Sequence, residues 1–108
     1  MTDKFWGAMG LSRRAKQLCI GHDEVKTSVK NGKAKLVILT KDASERLGSE
    51  MARLTENTEI TVIRIEASMS DTESIIGKHL GVFSVTDNGL KDLILSTIKE
   101  DSIYGTGK

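Results

Sequence analysis

The sequence predicts an α/β sandwich, one central sheet covered by helices on both faces. Three observations carry that prediction. Helical and extended patterns alternate along the whole chain. The branched, uncharged run at 36–40 has the composition of a buried strand, and the branched run at 60–65 reads as a further main strand. The 108 residues, 38% hydrophobic and 29% charged, show no domain boundary, internal repeat or low-complexity tract, so one core serves them all.

The elements follow in order. Proline is absent, so glycine and polar caps mark their ends. Phe5, Ala8, Met9 and Ser12 stand at helical spacing in a first helix. Arg13, Arg14 and Lys16 come near its end, where cations suit the negative pole of the dipole. Residues 17–20 form a short apolar strand. Gly21 breaks the chain, and His22 or Asp23 is expected to cap a second helix with Val25, Ser28 and Val29 inward. Asn31-Gly32 stops it. After the strand at 36–40, Asp42-Ala-Ser-Glu45 reads as a capping box opening a helix with Leu47, Met51 and Leu54 inward. The strand at 60–65 follows. Ser70-Asp-Thr-Glu73 reads as a second capping box, for a short helix stopping near Gly77. Residues 80–86 form another strand. Asp87-Asn-Gly89 turns into a last helix with Leu90, Leu93, Ile94 and Ile98 inward, and the tail from about residue 101 is expected to fray.

Composition narrows the function classes. A net charge of +1, from 16 basic and 15 acidic residues, gives no global field for nucleic acid, so any such binding needs local clustering. One cysteine rules out an intrachain disulfide and favours a reducing compartment. No apolar run of membrane-spanning length exists, and residues 1–16 lack a signal-peptide core. A cytoplasmic protein without membrane association is expected.

Catalytic readings are weak. Gly105-Thr-Gly-Lys108 has the look of a phosphate loop, but that loop needs a strand before it and a helix after it, so the match is read as accidental. Cys19, His22 and Asp23 lie close enough to invite a nucleophile-and-base reading. Yet Cys19 sits in an apolar strand, where it acts as a small hydrophobe, and His22 is read as a cap or surface residue. No set of nucleophile, base and orienting group is readable, so no enzyme is expected. His22 and His79 lack spaced ligand partners, and neither a metal nor another cofactor is expected.

Lys26, Lys30, Lys33, Lys35 and Lys41 read as a cluster around the second helix and its following strand. The start of that helix exposes free backbone N–H groups, and residues 40–43 lead into another helix. Helix starts on one edge of a sandwich make a phosphate-binding rim.

The succession GLSRRAKQL, GHDEVKTSVKNGKAKLVILTKDAS, IIGK and SVTDNGL resembles the ribosomal L-seven-Ae and L-thirty-e family, most closely its bacterial YlxQ-like branch. The resemblance spans about residues 4–98. It is most specific from Gly21 through Asn31-Gly32-Lys33-Ala34-Lys35-Leu36-Val37 to Asp42-Ala43. It implies a three-layer α-β-α sandwich with a mixed four-stranded central sheet, and a single RNA-binding domain over residues 1–108. It also implies binding of structured RNA, in many members kink-turns, which are sharply bent helical elements. By position, Gly21, Asp23, Glu24 and Thr27 match a Gly-x-Asn-Glu-x-x-Lys motif that opens the second helix in kink-turn binders. Glu24 could accept from a guanine edge, backbone N–H groups near Gly21 and His22 could meet phosphate, and Lys33, Lys35 and Lys41 could neutralise more of the backbone. Asp42 and Ala43, with the loop carrying Ser68, Met69 and Ser70, complete the implied surface. Asp23 replaces a neutral amide and Thr27 replaces a cation, and Thr72 and Glu73 stand where a Leu-Gly pair is usual. A ribosome-associated monomer whose partners are ribosomal RNA and ribosomal or translation proteins is expected. The alternative is a protein-interaction adaptor that kept the fold and lost kink-turn affinity.

Overall fold

The computed structural model describes the backbone of residues 1–106 and the side chains of residues 1–98. Helix α1 (Asp3–Arg14) is capped by Thr2, whose hydroxyl accepts from Phe5 N. Strand β1 (Leu18–Ile20) leads to α2 (His22–Lys30). Gly21 stands between them at φ 94°, ψ 164°, a region only glycine tolerates, and its N–H donates to Val82 O. No side chain caps α2. His22 and Asp23 are therefore not caps but its first helical residues, because the turn is made by the glycine backbone.

Strand β2 (Leu36–Leu39) precedes α3 (Glu45–Leu54), capped by Ser44, which accepts from Leu47 N at 3.1 Å. The capping box expected at Asp42 and Glu45 does not form, since Asp42 is drawn away to Met69 N. Strand β3 (Thr61–Arg64) precedes α4 (Met69–Ile76). The capping box of α4 is Ser68 with Asp71, two residues earlier than Ser70 with Glu73: Asp71 N donates to Ser68 Oγ and Ser68 N to Asp71 Oδ2. Gly77 ends the helix at φ 87°, as expected. Strand β4 (Val82–Val85) precedes α5 (Asn88–Thr106), where Asp87 Oδ2 accepts from Leu90 N. The backbone of α5 is helical as far as Thr106. Gly107 and Lys108, and so the end of the phosphate-loop look-alike, lie outside the described residues.

The sheet is mixed, in the order β1-β4-β2-β3; β2 and β3 are parallel, the other pairs antiparallel. The pleat of β2 and β4 sends alternate residues to two cores. Leu36, Ile38, Phe83 and Val85 pack with Phe5, Met9, Ile76 and Ile94 of α1, α4 and α5. Val37, Leu39 and Val82 pack with Val25, Val29 and Met51 of α2 and α3. Both strands are buried on both faces, which explains the unbroken apolar run of β2. The result is the three-layer sandwich. Ser84 breaks the apolar run of β4, and its hydroxyl meets that of Ser28 at 2.8 Å inside the second core. On α5, Ile94 is fully buried and Leu90 and Ile98 are half-buried, but Leu93 is 42% exposed. Thr97, one turn on from Ile94, takes the inward place instead.

Strand direction sorts the loops. β1, β2 and β3 end, and β4 begins, at one edge of the sheet: Gly21 N donates to Val82 O and Thr40 N to Gly81 O. The loops before α2, α3 and α4 therefore meet there. The start of β2 lies at the opposite edge, where Lys35 N donates to Val85 O. The five residue steps from Lys35 to Thr40 set the two edges about 16 Å apart.

Candidate nucleic-acid interface

The first edge is a rim of four chain segments held by backbone contacts. Lys41 N donates to Ala67 O at 2.9 Å, joining the β2–α3 loop to the β3–α4 loop. Met69 N donates to both Asp42 oxygens, at 3.0 and 3.3 Å. Gly81 lies beneath them: a Cβ there would meet Thr40 Oγ1 at 3.1 Å and Ala43 Cβ and Met69 Cε at 3.3 Å. Only a residue without a side chain lets these loops close over β4. Thr72, fully buried, donates its hydroxyl to Met69 O and Leu80 O, fixing the start of α4 to the segment before β4.

Arg64, at the end of β3, straps the rim from the other side. Its Nη1 donates to Thr40 O at 3.0 Å and Ala43 O at 2.9 Å, supplying partners for carbonyls of a loop outside regular structure.

Two carboxylates of the rim, Asp42 and Asp71, are held ionised. Desolvation works against Asp42, but the nearby Thr40 hydroxyl and the backbone N–H groups of Met69 and Asp42 outweigh it and lower its pKa. The Thr40 hydroxyl is buried beside that carboxylate without a fully aligned hydrogen bond. Asp71 is lowered by the Ser68 backbone and then the Ser68 hydroxyl. At the head of α2, His22 Nε2 lies 2.9 Å from Glu50 Oε1 and Lys26 Nζ 3.6 Å from Glu50 Oε2. The hydrogen bond from His22 is the main reason the Glu50 carboxyl is lowered. These contacts tie α2 to α3.

The structure thus sorts the expected site residues. Gly21, Lys41, Asp42, Ala43, Ser68, Met69 and Ser70 gather at the rim, with Lys41 and Ser70 exposed. Ala43 is buried, so it shapes the loop from below. His22 turns towards α3. Asp23, Glu24 and Thr27 line a groove of about 350 Å³ between α2 and the outer edge strand β1, with Cys19, Asn31, Lys33 and Thr86. Cys19 faces this groove, whereas His22 bonds Glu50 and does not line it. Among the described residues, no group of three or more His, Cys, Asp and Glu could hold a metal ion, and no helix is long and apolar enough to cross a membrane.

One expected grouping does not hold. Lys33 and Lys35 are not beside Lys41, because β2 runs between them and carries Lys41 to the far edge of the sheet. Conversely, Gly81 and Arg64 belong to the rim, although the residue patterns did not single them out. A glycine directly before a strand, as Gly81 is before Val82, is the available signal of close backbone approach. Arg64 carries no such signal.

The family described as Ribosomal protein L7Ae/L30e/S12e/Gadd45 family matches residues 3–94. A relative from Bacillus subtilis (strain 168), named RNA-binding protein YlxQ, is 27% identical over 95 residues, spanning 83% of this chain and 90% of the relative. One from Enterococcus faecium with the same name is 30% identical over 86 residues, spanning 80% and 82%. A solved protein of unknown function from Bacillus halodurans superposes with a TM-score of 0.74 at 29% identity, covering 86% of this chain and 98% of that one. The Giardia lamblia 15.5kD RNA binding protein superposes with a TM-score of 0.70, covering 90% and 83%; at 17% identity this likeness concerns the fold alone.

Proposed function

The chain belongs to the ribosomal protein L7Ae/L30e/S12e/Gadd45 family, and on that premise we propose that it is a non-catalytic, cytoplasmic protein that binds structured RNA. The observation that carries the reading is the match over residues 3–94, together with two relatives that bear the name of an RNA-binding protein. The geometry of the rim supports it. Glu24 offers an exposed carboxylate to base-edge donors, and Lys41 offers a cation to phosphate. The Ser68–Ser70 segment offers hydroxyls and the Met69 side chain to unstacked bases.

The target we propose is ribosomal RNA, kink-turns included, with a monomeric protein acting among ribosomal and translation proteins. Asp23 repels phosphate and Thr27 brings no cation to a guanine edge, so the grip on a kink-turn is weaker than a motif with Asn and Lys there would give.

Crosslinking in cells followed by sequencing of the bound RNA tests this. Enrichment of one structured region, lost in a Lys41→Glu variant, is expected. Recovery of a single protein partner that survives nuclease, with no enriched RNA, would replace the reading with that of a protein adaptor.

A further inference from the structure

The two edges of the sheet carry opposite charge. At the rim, Asp23, Glu24, Asp42, Glu45 and Asp71 outnumber the cations Lys41 and Arg64, and the Arg64 guanidinium is taken up by Thr40 O and Ala43 O. At the opposite edge, Lys33, Lys35 and Lys91 gather around the end of α2 and the start of α5. Lys35 and Lys91 are half-buried and line one cavity of about 400 Å³ with Gly32, Thr58 and Asn88. Lys33 stands at its side, at the far end of the α2 groove. None of the three lysines has an ion-pair partner among the described residues. Glu59 lines the same cavity, and Asp87, whose carboxylate caps α5, is a further acid nearby.

Two half-buried lysines line this one cavity, so an anion bound there would meet both. The rim, by contrast, is poor in the cations that give RNA affinity its main electrostatic part. We propose that the phosphate backbone of the RNA is gripped at the edge opposite the rim, by Lys33, Lys35 and Lys91 with Asn88 donating to a phosphate oxygen. This inference rests on the RNA-binding reading and assigns its division of labour: the rim reads the RNA and the basic edge holds it. The groove along α2 joins the two, running from Glu24 at one end to Lys33 at the other, so a single RNA strand can engage both. It also explains how a chain of net charge +1 binds a polyanion: its lysines act as a local patch, not as a global field.

The test is the salt dependence of binding to one structured RNA, measured for the full chain, for Lys33→Gln/Lys35→Gln/Lys91→Gln, and for Lys41→Gln. Neutral replacements of exposed or half-buried lysines leave folding intact, which a thermal melt checks. The slope of log K against log salt falls by about 0.7–0.9 for each phosphate that is no longer neutralised. The triple variant is expected to lower the slope by about two to three, and Lys41→Gln by at most about one. A triple variant that melts and binds like the parent, with the same slope, while Lys41→Gln or Glu24→Ala weakens binding, overturns the basic edge and leaves the RNA-binding reading standing. Absence of binding by the parent at any salt overturns both.

Discussion

The Arg64 guanidinium occupies the space that a side chain on Gly48 would need: a Cβ on Gly48 would meet Arg64 Nη2 at 2.7 Å. The empty position on α3 lets the side chain from β3 reach across to the β2–α3 loop and bind Thr40 O and Ala43 O. One residue without a side chain thus allows another to shape the rim.

Gly48→Ala should push the guanidinium away and release those two carbonyls. The released bonds cost about 1–2 kcal/mol of stability, offset in part by about 1 kcal/mol from the better helix propensity of alanine in α3, and the net change is read from urea denaturation. Arg64→Met should cost about the same without that offset, and the two changes together little more than either alone, because they remove one interaction. RNA affinity should fall with its salt slope unchanged, since Arg64 acts through the loop and not on phosphate. Additive losses would mean that Gly48 and Arg64 act independently.

Asp42 links two loops by accepting from Met69 N. Its carboxyl is lowered in the folded protein, so it binds its proton less readily there than in the unfolded chain. Its contribution is therefore complete above the ordinary Asp range near about 4 and is lost as pH falls through the folded value. Asp42→Asn should flatten the acid limb of the stability-against-pH curve and loosen the start of α4, seen as faster amide exchange at Met69 and Ser70. An unchanged acid limb would contradict this.

Gly21→Ala places a side chain at φ 94° and brings its Cβ to 3.3 Å from Leu80 Cδ1. The backbone region alone costs about 1–3 kcal/mol. Thermal denaturation should show that loss, whereas Gly7→Ala, in open space on α1, should be neutral or slightly stabilising.

Ser28 and Ser84 form a buried polar pair between α2 and β4. Ser84→Ala should cost about 1 kcal/mol. Ser28 keeps its bond to Val25 O in that variant, so α2 should stay helical. A double-mutant cycle with Ser28→Ala should give a coupling above about 0.5 kcal/mol.

Much of the fold was legible in the residues. The run at 36–40 announced a buried strand, residues 80–86 announced another strand, and the spacing of Val25, Ser28 and Val29 gave the inner face of α2. Local signals failed where a tertiary contact overrode them. Asp42 had the spacing of a capping residue but was claimed by Met69, and Ser70 yielded to Ser68 because Asp71 completes a box there. The lysines from 26 to 41 read as one cluster in sequence, yet β2 carries Lys41 to the edge opposite Lys33 and Lys35. Arg64 was invisible because its role depends on Gly48, which lies on another element.

The most direct test is a titration of the purified chain with a structured RNA containing a kink-turn, alongside an unbent duplex of equal length. Glu24→Ala and Lys41→Glu are measured in parallel. RNA binding at the rim predicts saturable binding that weakens with salt and falls at least about tenfold in each variant, equivalent to about 1.4 kcal/mol. Binding that is absent at micromolar protein, or equal in the parent and both variants, would contradict it.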